Sequence, residues 1–220
     1  MTSKRQLFSE PQVAQYFERE TLSKMTGRPV YDFHRVLVKE LVDNSLDAAE
    51  SAGIAPEIVV RVIEGRSIFA AHVVDNGNGI APETLDKLLD FSKFTSDKSL
   101  YRSPTRGQQG NALKTIFAMP YATGYTKSKP VVESLGFRHT IHAGLDEAGL
   151  PKVERVSEPL EEANGTKIFS PIGLGKYLRT LEDSKISDLI RGYHLYNPHL
   201  KVSFEEFVQP CEQRPNRPGW

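Results

Sequence analysis

The sequence predicts an α/β fold of two layers: a mixed, mostly antiparallel sheet with helices on one face. Three observations predict it. A strongly amphipathic helix comes first and offers a broad apolar face. A pair of β-branched runs follows at hairpin spacing. The rest of the chain alternates further strand-like runs with helical segments, the mixture of a sheet backed by helices.

Taken in order, residues 1–29 are polar with a few apolar anchors: Leu7, Phe8, Val13, Tyr16, Phe17 and Leu22. They read as an arm or short helix ending at Gly27 and Pro29. The first strong helix spans Asp32 to Ser51, with Asp32 as its cap and Gly53 as its stop. Leu37, Leu41 and Ala48 form one stripe and Val38, Val42 and Ala49 lie beside it, a face wide enough to cover a sheet. Glu57 to Glu64 and Ser67 to Val74 read as a hairpin turning at Gly65 and Arg66. Asp75 to Ile80 is a turn cluster, and Pro82 opens a short helix to Asp90. Phe91 to Gln109 is a long polar loop, the length at which loops are usually functional or mobile. A helix over Asn111 to Phe117 is expected next. Strands are expected over Ala122 to Lys127, Val131 to His142 (with Gly136 as bulge or turn), Lys152 to Glu158 and Lys167 to Pro171. A helix over Gly175 to Tyr193 and a strand over His199 to Phe204 complete the body. The chain thus divides into an arm (1–29), one domain (30–208) and a linker or chain end (209–220).

Composition narrows the class. The chain has 220 residues, 39% apolar and 25% charged, the balance of a globular protein with one core of ordinary size. Lys+Arg and Asp+Glu both number 28, so no chain-wide basic field exists for nucleic acid, although a local patch is compatible with that sum. No apolar run approaches the ~18 residues of a membrane span. The first residues lack the apolar region of a signal peptide. A single cysteine, Cys211, excludes an internal disulfide framework, and a cytoplasmic protein is the simplest expectation. Six histidines show no metal-ligand spacing and read as structural or surface groups. Tyr193, Tyr196 and Phe204 read as core or edge packing.

Three segments carry chemistry. On the first helix Glu40, Asn44 and Asp47 share one face at i, i+4, i+7, with Asp43 at its edge. Alone, such a face is most simply a solvated one. Next, a strand ending in Val73-Val74 delivers Asp75, followed by Gly77 and Gly79. A carboxylate there can meet a flat ring at close range, because the glycines let backbone and ligand approach; Asp-Asn-Gly is equally good turn chemistry. Third, Thr105 to Leu113 (TRGQQGNAL) places two glycines before a helix start, where successive N–H groups and the helix dipole favour phosphate. Lys93, Lys98, Arg102 and Arg106 lie in the same loop. The segment is not a Walker loop, which requires G-x-x-x-x-G-K-[ST].

In this order and spacing, KELVDNSLDA, DNGNGI, Ser92 to Phe94 (SKF) and TRGQQG resemble the N-box, G1-box and G2-box of the ATPase superfamily of gyrase B, the large heat-shock chaperone, histidine kinases and MutL. The similarity is greatest to the B subunit of topoisomerases of the topoisomerase VI class. The resemblance covers residues 30 to 120 closely and the remainder to about residue 205 more loosely. It implies the Bergerat-type ATP-binding fold, with ATP and Mg²⁺ as cofactors. By it, Glu40 is the general base that activates water and Asn44 binds the Mg²⁺ bridging the phosphates. Asp75 accepts from the adenine amino group, flanked by Gly77 and Gly79, and Thr166 supports that Asp through water. Ser92 and Lys93 lie near the phosphates. Arg106, Gly107, Gln108, Gln109, Gly110, Asn111, Ala112 and Leu113 form the lid that wraps the triphosphate. Asp47 receives no role and reads as structural, pairing with a lid Arg or Lys.

The sequence departs from the family in three respects. Asn111-Ala112-Leu113 stands where a Gly-x-Gly-like opening is usual, closer to the G-E-A-L of MutL-type proteins. The switch lysine that reaches the γ-phosphate belongs to a further domain for which no room is seen after residue 205. The helix-two-turn-helix insert of the topoisomerase protein is not evident. The resemblance therefore implies a lid-gated ATPase, slow or partner-dependent, that couples ATP-driven homodimerisation to DNA strand passage or DNA processing. Its partner would be a topoisomerase A-like or other DNA-processing subunit, with direct DNA contact left open. The arm would exchange between subunits. The alternative is a nucleotide-gated switch without turnover. A histidine kinase is disfavoured, because no phosphoacceptor helix pair precedes the motifs.

Overall fold

The structure, a computed structural model, describes residues 12–65, 67–91, 112–161, 164–173 and 185–208. Seven strands form one sheet in the order β5-β4-β3-β6-β2-β1-β7. They are β1 (Glu57–Glu64), β2 (Ile68–Asp75), β3 (Val131–Ser134), β4 (Phe137–Leu145), β5 (Pro151–Pro159), β6 (Thr166–Gly173) and β7 (Lys201–Val208). Every neighbouring pair is antiparallel except β1 with β7, which is parallel. Helices α1 (Arg19–Thr26), α2 (Phe33–Ser51), α3 (Pro82–Leu89), α4 (Ala112–Ala122) and α5 (Ile186–Tyr196) complete it. Short 3-10 turns precede α1 (Gln12–Phe17) and α2 (Val30–Asp32). Among these helices none is long and apolar enough to cross a membrane.

The register shows why the sheet has an inside. Val60 pairs with Val73, Val73 with Ile168, and Ile168 with Val132, so one apolar row crosses four strands. The helix α2 lies over β1, β2 and β6, and α4 over β4 and β6. Leu37, Leu41 and Leu46 of α2 are fully buried in the core this row helps to form, each contributing about 1.5–3 kcal/mol relative to exposure. The opposite face carries Arg61, His72 and Lys167, each partly exposed. This is the expected two-layer sandwich with helices on one face.

Local chemistry sets the ends of the elements. After α2, Gly53 adopts φ +69°, while its N–H bonds Glu50 O and the Ile54 N–H bonds Ala49 O. These two bonds form the Schellman stop that a glycine makes available. Asp32, expected to cap this helix, makes no side-chain cap bond. It ends a 3-10 turn with ψ near 0°, whereas capping needs an extended residue; its carboxylate instead faces Arg28 and Arg35, both at 3.6 Å. Between β3 and β4, Leu135 and Gly136 both have positive φ. Gly136 therefore belongs to a two-residue turn of the kind that matches strand twist, not to a bulge.

The largest departure from expectation lies at residues 112–127. The helix α4 does not stop at Phe117 but runs to Ala122, through Pro120. No strand occupies 122–127. Gly124, at φ +73°, closes α4 with bonds from Gly124 N to Tyr121 O and from Tyr125 N to Pro120 O. Proline leaves the carbonyl of Ile116 without its helical donor; Ser170 Oγ of β6 donates to it at 3.5 Å. A contact 54 residues away thus makes the proline tolerable. The other boundaries shift less, β7 starting at Lys201 and α5 ending at Tyr196. Tyr196 is 82% exposed, contrary to the packing role expected for it. Tyr193 and Phe204 are partly buried against the core, as expected.

From Gln12 onward the arm packs on its own chain. Tyr16, Phe17 and Leu22 are buried, and Phe91 packs on both aromatic rings at centroid distances of 5.2 and 5.0 Å. Residues 1–11, 92–111, the first part of the helix expected from Gly175, and the tail from 209 lie outside the described residues.

Candidate active site at the end of the central strands

The helix-facing surface of the sheet is mostly apolar, with a cluster of polar groups at one end. There Asp75, Thr166 and Ser134, on the neighbouring strands β2, β6 and β3, lie in one buried polar row. Asp75 is 8% exposed. A buried carboxylate needs donors, and it has three. Its Oδ1 accepts from the N–H groups of Gly77 (2.9 Å) and Thr166 (3.1 Å), and its Oδ2 accepts from Ser45 Oγ (2.9 Å) of α2. Burial pushes the Asp75 carboxyl above the usual range, opposed in part by these bonds. A carboxylate offers about four acceptor positions, so one remains after the protein's own donors are counted.

Glycines bring backbone and helix close around it. A Cβ on Gly77 would lie 2.7 Å from the Ala48 Cβ of α2, and one on Gly165 would lie 1.8 Å from the Asp75 carbonyl oxygen. Ser134 Oγ accepts from Ile80 N at 2.8 Å and donates to Gly165 O at 3.3 Å, fastening the turn after β2 to the turn before β6. Asn76 accepts from Glu57 N and donates to Ala55 O, fixing the same turn to the start of β1.

Helix α2 carries the next groups. Ser45 touches Asp75, and Glu40 lies five residues earlier, about 7.5 Å along the helix axis. Asn44 Nδ2 donates to the Glu40 carbonyl at 2.6 Å. A carbonyl only accepts, so the amide nitrogen is the end committed to it and the amide oxygen is released for another partner. Glu40 is partly exposed, with Oε1 at 3.0 Å from Lys39 Nζ. Asp47 is buried. Among the described residues no group of three or more His, Cys, Asp or Glu side chains converges on a metal position.

The structure therefore brings Asp75, Gly77, Thr166 and Ser45 of α2 together, with Glu40 and Asn44 on the same helix. Thr166 meets Asp75 directly, through its backbone N–H. Gly79, at φ +80°, packs against Ser134 and Leu135, one turn further on. Ala112 opens α4, while the Leu113 side chain is in the core. Ser92, Lys93, Arg106, Gly107, Gln108, Gln109, Gly110 and Asn111 lie outside the described residues. Sequence reading missed Ser45, Ser134 and Gly165, whose roles exist only across strands. A small polar residue interrupting the apolar face of α2 was the available signal for Ser45. It also missed Lys114, which is fully buried and donates to Asp90 O at 2.6 Å, tying the end of α3 to the start of α4. Burial holds its ammonium below the usual range, opposed by the Asp90 charge.

Fold and site define a two-layer α/β protein with a hydrogen-bonded carboxylate built into the sheet beneath a helix. Comparison with known proteins agrees with that frame. Residues 31–168 match the family described as histidine kinase-, DNA gyrase B-, and HSP90-like ATPase. The chain belongs to this ATPase family. It is 32% identical over 208 residues to the B subunit of type 2 DNA topoisomerase 6 from Archaeoglobus fulgidus, covering 90% of this chain and 33% of that one. Its counterpart from Halobacterium salinarum is 32% identical over 185 residues, 77% of this chain and 22% of that one. The DNA mismatch repair protein MutL of Shouchella clausii is 28% identical over 204 residues, 87% and 28%. The chain thus spans a third or less of these curated relatives. Among solved structures, the topoisomerase IV ATP-binding domain of Francisella tularensis aligns over 78% of this chain and 80% of that one, at 16% identity and a TM-score of 0.41.

Proposed function

We propose that this chain binds ATP with Mg²⁺ at the Asp75 end of the sheet and hydrolyses it with Glu40 as general base. The observation that carries the reading is the donor count at Asp75: two backbone N–H groups and one hydroxyl hold the carboxylate and leave one acceptor position. An adenine amino group is a donor suited to that position. Gly77, with no side chain, keeps the approach between Ala48 and the base open. The Asn44 amide, turned by the Glu40 carbonyl, offers an oxygen suited to Mg²⁺; when bound, the ion would neutralise phosphate charge. Glu40 is partly exposed, as a group that takes a proton from water must be. Phosphoryl transfer to water needs chiefly positioning and charge stabilisation, which these groups supply.

The segment between α3 and α4, with Ser92, Lys93 and Arg106 to Asn111, would close over the phosphates. ATP binding would favour a homodimer and drive DNA strand passage or DNA processing by a topoisomerase A-like or similar partner, in the cytoplasm. The similarity to the topoisomerase 6 and MutL proteins supports that last part.

The test compares ATP binding and hydrolysis in the wild type and Glu40→Gln. The reading expects both proteins to bind and only the wild type to turn over. Turnover retained in Glu40→Gln would remove Glu40 from the role of base. Binding without turnover in both would mean the non-hydrolysing switch, or an ATPase domain that needs a lysine supplied from outside this chain.

A further inference from the structure

A second polar cluster lies beside the site. Asp43, 7% exposed, directs Oδ2 at Lys39 Nζ (2.7 Å) and Oδ1 at the Tyr193 hydroxyl of α5 (2.5 Å). The same Lys39 ammonium lies 3.0 Å from Glu40 Oε1. The Tyr193 oxygen also lies 3.2 Å from the Lys39 carbonyl; its single proton goes to the nearer, charged acceptor. An unbroken line of contacts therefore runs from α5, through Asp43 and Lys39, to Glu40, although Tyr193 and Asp43 are 150 residues apart.

We infer that Tyr193, Asp43 and Lys39 are positioning residues that set the carboxylate of Glu40 for attack on the phosphate by water. The inference rests on Glu40 acting as the base. Lys39 is 50% exposed at its side chain and would otherwise sample many rotamers. Asp43 removes that freedom, because a buried carboxylate pairs with whichever donor reaches it, and Tyr193 removes the freedom of Asp43. Although burial opposes it, the Asp43 and Glu40 carboxylates hold the Lys39 ammonium above its usual range, so it stays charged. Restraining one oxygen of Glu40 in this way leaves the other to face water. The line also gives α5 a lever on turnover: a shift of this helix would move Tyr193, then Asp43, then Lys39.

The experiment measures single-turnover hydrolysis of ATP with Mg²⁺, and ATP affinity, for the wild type, Tyr193→Phe, Lys39→Met, Lys39→Arg, the Tyr193→Phe/Lys39→Met pair and Glu40→Gln. Tyr193→Phe and Lys39→Met are expected to lower the rate constant about ten- to a hundredfold, up to the loss that a ~1 Å misplacement causes, with ATP affinity unchanged. Lys39→Arg is expected to recover most of the rate. The double variant is expected to be no slower than Lys39→Met, because both changes break one line. Wild-type rates in Tyr193→Phe and Lys39→Met, with Glu40→Gln inactive, would overturn the inference alone. So would rate losses that multiply in the double variant. Turnover in Glu40→Gln would overturn the base reading and the inference with it. If Tyr193→Phe fails to fold, the exposed Lys39 variants decide the matter.

Discussion

Replacing Asp75 separates what the carboxylate does for the fold from what it does for a ligand. Two of its partners, Gly77 N and Thr166 N, are backbone donors that can do nothing but donate. Asp75→Ala strands both in a buried place, at about 1–3 kcal/mol each, so about 2–6 kcal/mol in all. That is a large share of the stability of a domain. Asp75→Asn is different. The amide oxygen can take the Oδ1 position and keep both N–H partners, while the amide nitrogen meets Ser45 Oγ, which can turn to accept. Its stability should stay within about 1 kcal/mol of wild type. Burial also raises the wild-type carboxyl, and that fixes a sign. A raised carboxyl contributes stability below the unfolded value of about 3.9 and loses it as pH rises through the folded value. From acid to neutral pH, Asp75→Asn should therefore gain on the wild type. Binding should move the other way, because the one spare acceptor position becomes a donor. A site built to accept a hydrogen bond discriminates strongly when that bond is reversed, and ATP affinity should fall at least ~100-fold. Denaturation curves from about pH 4 to 8, spanning the carboxyl's range, and calorimetric titration with ATP make the assay. An unfolded Asn variant would refute the donor count, and unchanged ATP affinity would refute the adenine contact.

Three further outcomes are expected. Gly165→Ala should destabilise by more than ~3 kcal/mol, since its Cβ would lie 1.8 Å from a backbone oxygen; Gly149→Ala, with similar positive φ but open space, should lose only about 1 kcal/mol by thermal melting. Ser45→Ala should lose about 1 kcal/mol of stability and weaken ATP binding about three- to tenfold, measured by titration, because Asp75 Oδ2 loses its hydroxyl donor. His139, buried beside Arg155 and Ser157 Oγ, is held below its usual range by burial and then by Arg155. The protein should therefore lose stability as pH falls below about 6.5 toward the lower folded value, and His139→Gln should flatten that part of a melting profile.

What could be read in advance was local. The period of apolar residues in α2, the β-branched runs of β1 and β2 and the glycine at 53 each act within a few residues. Their elements appear within a residue or two of expectation. The misses are long-range. Pro120 stops a helix unless another strand satisfies Ile116, and no local pattern announces Ser170. Gly124 looked like part of a strand because Ala-Thr-Gly-Tyr-Thr carries β-forming residues, yet it closes a helix. The parallel pairing of β7 with β1 joins segments far apart in the chain, Glu57 with Lys201 onward, which no local pattern of β7 announces. The placing of Asp75 at the end of a strand, with Gly77 in the turn after it, was legible because strand end and turn are adjacent. Ser45, Gly165 and Tyr193 were not, since each acts on residues 30 to 150 positions away.

The most direct test of the central claim is calorimetric titration of the folded chain with ATP and with GTP in the presence of Mg²⁺, alongside Asp75→Asn. The account predicts saturable binding of one ATP per chain, much weaker binding of GTP, whose carbonyl faces an acceptor where adenine has a donor, and loss of ATP binding in Asp75→Asn. Equal affinity for the two nucleotides, or ATP binding that survives Asp75→Asn, would contradict it.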